Sequence, residues 1–98
     1  MKKKTIGILG GMGPEATLDF FVKIIKHTPA QSDQDHISVV IDSTPAVPDR
    51  TAAIVGDGQS PVPVIVEGCH ALEKAGADFI IIPCVSAHFF IDEIQQQA

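Results

Sequence analysis

Cys84 is the residue with the most chemistry to offer. It follows an apolar run, residues 79–82, and Pro83, and it precedes Ser86 and a segment with Ala87, Phe90, Ile91 and Ile94 at helical spacing. A thiol between a strand end and a helix start feels the positive end of the helix dipole, which favours the thiolate, both a base and a nucleophile. The competing reading of any free cysteine is a small buried hydrophobe. His88 lies one helical turn further on, placed either to approach the thiol or to brace the start of the helix. Arg50, next to Asp49 in a long connection, carries a planar fork of donors matched to a carboxylate, with a plain surface arginine as the alternative.

A second candidate is Gly10-Gly11-Met12-Gly13-Pro14-Glu15-Ala16, which contains the pattern G-x-G-x-x-A. Asp42 then stands where a dinucleotide site has its ribose-binding acid. Against that reading, Pro14 removes an N–H that a pyrophosphate would use, and Glu15 puts negative charge where the phosphate would lie. The residues leave three readings open: a nucleotide loop, a tight strand-to-helix turn, or a nest of backbone amides for a small carboxylate. Cys69 shares a helical stripe with Ile65, Val66 and Leu72 and reads as core, while His27, His36 and His70 read as structural or solvated.

The elements that must position these groups are legible from periodicity. Residues 5–9 form a short β-rich run stopped by glycines. Pro14 opens a helix with Glu15 in its first turn and Ala16, Phe20 and Ile24, with Phe21 and Ile25 beside them, as its apolar stripe. The β-branched run 37–41 reads as a second strand and leaves through Asp42-Ser43-Thr44-Pro45. Prolines and glycines make residues 43–63 an irregular connection, in which 50–55 is the stretch able to add a helical turn; a loop this long usually has a task. Residues 64–74 read as a helix with Gly76 just past its end. The run 79–82 reads as a strand covered on both faces, and Ser86 as the N-cap of a last helix.

The order β-α-β-loop-α-β-α predicts an α/β fold: three α/β/α layers around a parallel sheet, with right-handed crossovers. The last helix reaches Gln95-Gln96-Gln97-Ala98 without a closing signal, which reads as an architecture cut before completion. Ligands in such sheets gather beyond the carboxyl ends of the strands, so 10–17, 43–51 and 83–88 are the segments expected to meet.

Composition removes other classes. A net charge of −5, with only Arg50 and Lys74 as basic residues after Lys26, argues against a nucleic-acid surface. No apolar run approaches the roughly 20 residues of a membrane-spanning helix, so no membrane insertion is expected. Lys2, Lys3 and Lys4 read as a solvated lead-in rather than the start of a signal peptide. Two cysteines without a metal-ligand spacing fit free thiols in a reducing cytoplasm.

Four segments together carry a family resemblance: residues 10–17, Gly-Gly-Met-Gly-Pro-Glu-Ala-Thr; Asp33 with Asp35-His36; Val47-Pro48-Asp49-Arg50-Thr51; and Pro83-Cys84-Val85-Ser86-Ala87-His88. In order and spacing the chain resembles the aspartate/glutamate racemase family, its aspartate-racemizing members in particular. The resemblance implies two similar α/β lobes with the active site between them, residues 1–98 being the first. It implies neither pyridoxal phosphate nor metal, and a homodimer in the full-length form. One cysteine per lobe would act, one removing the α-proton and the other protonating the opposite face. Cys84 matches the first of these. Arg50 matches the residue that holds the side-chain carboxylate of aspartate, and the amides around Met12 and of Val85, Ser86 and Ala87 match those that hold the α-carboxylate.

Two departures accompany the resemblance. The family's usual Cys-Asn-Thr-Ala-His is Cys84-Val85-Ser86-Ala87-His88 here, and the second-lobe cysteine is missing, since Cys69 belongs to the first lobe. The chain by itself is therefore expected to be inactive, and a non-catalytic relative that binds a small dicarboxylate is the alternative.

Overall fold

Thr5–Gly10 (β1) runs through the middle of a three-stranded parallel sheet, between Ser38–Ser43 (β2) and Phe79–Ile81 (β3). This is a computed structural model, and it describes residues 4–98; Lys2 and Lys3 of the lysine lead-in lie outside the described residues. The register aligns Ile6 with Val39 and Phe79, and Ile8 with Ile41 and Ile81.

Alternation along β1 separates two helical layers. Leu9 lies against Gly68 of the helix Val62–Lys74 (α3), while Gly10, the next residue, lies against Thr17 of the helix Pro14–His27 (α1). Neighbouring strand residues point to opposite faces, so α1 and α3 cover opposite sides and the three-layer expectation holds. Most of the core is on the α3 side. There Leu9, Met12, Val47, Ile65, Leu72, Ile82, Ala87, Phe90 and Ile94 pack in one cluster. Gly76 follows α3 with φ of 102°, as its place after the last helical turn demands.

The α1 side is covered less well, and this overturns one expectation. The strand buried on both faces is β1, with Ile8 fully buried; Phe79 of β3 is 45% exposed and Ile41 of β2 is 40% exposed. These residues share the face of Ile6 and Ile8, where among the described residues a single helix packs. An apolar run marks a strand's potential for burial, and position in the sheet decides how much is realised.

The stripe of α1 is also corrected. Ala16 is exposed and Ile25 is 43% exposed, whereas Phe20, Phe21 and Ile24 are half-buried and Thr17 is the buried residue of the helix. The reason is Gly10. A Cβ there would overlap the Thr17 side chain, 2.8 Å from its Cβ, so the missing side chain lets the threonine enter and accept the Gly11 N–H at 3.0 Å.

In the long connection the extra turn does form, as Arg50–Ile54 (α2), because the Asp49 side chain accepts from the N–H groups of Thr51 at 2.9 Å and Ala52 at 3.3 Å. After β3 the backbone makes a 3₁₀ turn, Ser86–Phe90, before the last helix, Ile91–Gln97 (α4). Ser86 is not its N-cap. Val85 is already helical at φ −63° and ψ −46°, and no side chain caps the turn.

Candidate active site

With β1 in the centre, the chain moves from β1 to one edge and then returns to the other. The loops after β1 and after β3 therefore diverge at one point, the topological switch point where open α/β sheets form their ligand crevices. Cys84 sits there. Its N–H donates to the Ile82 carbonyl at 2.8 Å, and the same oxygen lies 3.0 Å from His88 Nε2. A carbonyl only accepts, so Nε2 carries the proton and the imidazole ties the turn around Pro83 together. Of the two roles foreseen for His88, bracing is the one this geometry fits.

Three groups surround the Cys84 sulfur. Burial raises the thiol pKa, but the Ser86 hydroxyl, the Ala87 N–H and the Arg50 guanidinium all favour the thiolate, and the net result lies below the usual thiol value. The Ser86 Oγ is 3.4 Å from Sγ. The Ala87 N–H belongs to the start of the five-residue 3₁₀ segment that begins at Ser86 and leads directly into α4. Cys69 is the opposite case: 3% exposed, with its pKa raised by burial and then by the Glu73 and Asp42 carboxylates.

Cys84 opens onto a cavity of about 370 Å³ that it lines with Ile82, Pro83, Val85 and His88. The Val85 side chain is 93% exposed at this mouth, and Ala87 is fully buried with its N–H directed to the sulfur. Arg50 reaches the site from α2, which packs on the 3₁₀ turn. The carboxylate of Asp49 is engaged as the cap of α2, and among the described residues the ion pair formed is Lys23 with Asp19, so the anion that the Arg50 guanidinium faces in the site is the Cys84 thiolate. Its buried Nε has no hydrogen-bond partner.

The loop after β1 is joined to the site through the core. The Met12 side chain is 5% exposed and packs in the core with Val47, against which Cys84 also packs. Gly11 has φ of 97°, and a Cβ on it would lie 2.7 Å from the Thr44 carbonyl oxygen, so the loops after β1 and β2 are in contact through this glycine. One amide of the foreseen nest, that of Gly11, is already engaged by Thr17. Asp42 does not complete a dinucleotide site: it shares the Leu9 face, accepts from the Thr44 hydroxyl and lines a separate cavity of about 140 Å³ beside Gly68 of α3. Asp49 and Thr17 are the working residues that the sequence reading missed. An aspartate immediately before a helical turn was the available signal for the first, and a β-branched residue seven positions after Gly10 was too weak a one for the second.

The switch point of the open parallel sheet thus holds a polarised thiol with a guanidinium beside it at the mouth of a cavity. Comparison with known proteins narrows the class. Residues 9–98 match the model of the Asp/Glu/hydantoin racemase family, and the chain belongs to that family. It is 40% identical over 97 residues to the broad specificity amino-acid racemase RacX of Bacillus subtilis, covering 93% of this chain and 41% of that protein. The fold superposes on Picrophilus torridus aspartate racemase with a TM-score of 0.86 at 42% identity, over 92% of this chain and 39% of the other. An aspartate racemase homologue from Pyrococcus horikoshii gives a TM-score of 0.77 at 27% identity, over 100% of this chain and 42% of the other. The chain thus spans about two fifths of the length of these relatives.

Proposed function

We propose that these 98 residues form one lobe, and one half of the active site, of a cofactor-independent amino-acid racemase acting on aspartate. The observation that carries the proposal is the Cys84 thiol, held towards its thiolate by Ser86, Ala87 and Arg50 at the mouth of an open cavity. In the reaction the Cys84 thiolate takes the α-proton and becomes a thiol. The electron pair left on the α-carbon delocalises into the substrate carboxylate, and a second thiol, outside these residues, protonates the other face and becomes a thiolate. The amides around Met12 and of residues 85–87 would hold the α-carboxylate. Arg50 would hold the side-chain carboxylate, and its buried, unpaired Nε–H supports this because such a donor is costly until an acceptor reaches it. The complete protein would work as a cytoplasmic homodimer.

One observation favours a second reading. Val85, apolar and 93% exposed, stands at the cavity mouth where the family usually has asparagine, which suits a wider range of amino-acid side chains than aspartate alone. RacX, named for broad specificity, is a relative at 40% identity.

The test is to incubate the purified chain with L-aspartate in D2O, following α-deuterium by NMR and D-aspartate by chiral chromatography. The expected result is slow, Cys84-dependent deuteration without accumulation of D-aspartate, because one face has no proton donor and the half-cleft is open to water. Deuteration unchanged in Cys84→Ser refutes the role of Cys84. Sustained D-aspartate formation that Cys84→Ser abolishes refutes the half-site.

A further inference from the structure

We propose that the Ser86 hydroxyl is a positioning group for the Cys84 thiolate rather than a helix cap or a substrate contact. This rests on the reading of Cys84 as the acting thiol and adds how that thiol is kept reactive. Three facts of geometry converge. Ser86 Oγ lies 3.4 Å from Cys84 Sγ, within hydrogen-bond range for sulfur. The hydroxyl caps no backbone N–H, although serine two residues after a strand-end cysteine is the residue type expected to do so. The Cys84 peptide is itself fixed, with the Ile82 carbonyl accepting from both its N–H and the His88 imidazole, so Sγ and Oγ face one another across a braced turn.

A hydroxyl with a free rotor has two options here. Facing a neutral thiol it is one weak partner of another; facing a thiolate it becomes a donor to a full charge, a stronger bond. The contact therefore stabilises the ionised form selectively. The direction of the Cys84 shift agrees, since the Ser86 hydroxyl is foremost among the groups that lower it against the opposing effect of burial. The charged group facing the thiol is Arg50 from α2, and the titratable neighbour in the cavity is His88, whose Nε2–H is committed to Ile82. Asp49, the carboxylate next to Arg50 in sequence, is held as the cap of α2. Threonine at this place would keep the same hydroxyl; valine would keep threonine's shape without it.

The experiment measures the rate of Cys84 alkylation by iodoacetamide against pH, by peptide mass, in the unaltered chain and in Ser86→Ala, Ser86→Thr and Ser86→Val. Ser86→Ala is expected to move the titration midpoint to higher pH and to lower the thiolate fraction at neutral pH by about tenfold, the low end of a hydrogen bond to a charged group, with alkylation slowed by somewhat less because the remaining thiolate is more basic. At a pH where the thiol is fully ionised, the rate should equal or exceed that of the unaltered chain, because a more basic thiolate is the better nucleophile. Ser86→Thr should restore the midpoint and Ser86→Val should not. That pair decides the matter even if the smaller alanine side chain loosens the turn. An unchanged midpoint in Ser86→Val, with native circular dichroism, overturns the proposal. So does equal behaviour of the threonine and valine variants. No substrate is involved, so failure here is distinct from failure of the racemase reading, which shows as deuterium exchange independent of Cys84.

Discussion

The two cysteines provide a direct measure of how strongly the fold differentiates identical groups. Under limiting iodoacetamide, Cys84 should be modified well before Cys69. Cys69 is 3% exposed on a helix that buries Val62, Ile65, Val66 and Leu72 around it, so reagent reaches it only when α3 opens. An opening that exposes several such side chains costs at least ~3 kcal/mol, which alone protects the thiol by ~100-fold. Ionisation acts in the same direction. The Cys69 thiol is pushed up by burial and two carboxylates, whereas the Cys84 thiol is brought down, against burial, by Ser86, Ala87 and Arg50. As pH rises, the Cys84 rate should reach its plateau at a lower pH than that of free cysteine, and Cys69 should remain slow throughout. Trypsin makes the readout simple, since cleavage after Arg50 and Lys74 gives residues 51–74 with Cys69 and residues 75–98 with Cys84. In concentrated urea the preference should disappear, which assigns it to the fold. Comparable labelling of the two peptides under native conditions, or earlier labelling of residues 51–74, would refute the reasoning.

In the complete enzyme, Arg50→Lys should reduce kcat/KM for aspartate more than for alanine, which lacks the second carboxylate, by about 1.5–3 kcal/mol of selectivity, the worth of a charged hydrogen bond. Equal losses for the two substrates, measured by chiral chromatography, remove Arg50 from the specificity site. Gly10→Ala should destabilise the chain by about 2–4 kcal/mol, because its Cβ collides with Thr17 and releases the Gly11 N–H from its buried acceptor. Chemical denaturation followed by circular dichroism checks this, and the double variant Gly10→Ala with Thr17→Ala should recover part of the loss; an unchanged midpoint for the single variant excludes the close packing described.

The strands and long helices were legible because period and punctuation agreed: Pro14 opens α1, Gly76 closes α3, and β-branched runs mark the sheet. Cys84 and Arg50 were singled out from residue type and place alone, and the structure puts them side by side. What could not be read locally depends on neighbours distant in sequence. Phe79 looks like core by composition but lies on an edge strand. Ser86 looks like a cap by position, yet Val85 is already helical and leaves the hydroxyl for the sulfur. Thr17 is polar and sits one place off the expected stripe, and only the gap at Gly10 explains its burial.

The support of the Cys84 thiolate comes partly from its own turn and partly from a distant element. Two of the groups that favour the thiolate are local, a hydroxyl two residues on and an N–H three residues on, in a turn locked by the Ile82 carbonyl. The third is the Arg50 guanidinium. Arg50 is different. It comes from α2, is placed by the Asp49 cap, and beside its contact with the sulfur keeps a buried Nε donor without an acceptor, a bond left to be made when an anion arrives. Val85 adds an apolar, freely exposed side chain at the same mouth. On the racemase proposal, a change at position 85 should therefore alter which amino acid is turned over more than it alters the thiol, whereas a change at Arg50 should alter both, because the same guanidinium favours the Cys84 thiolate.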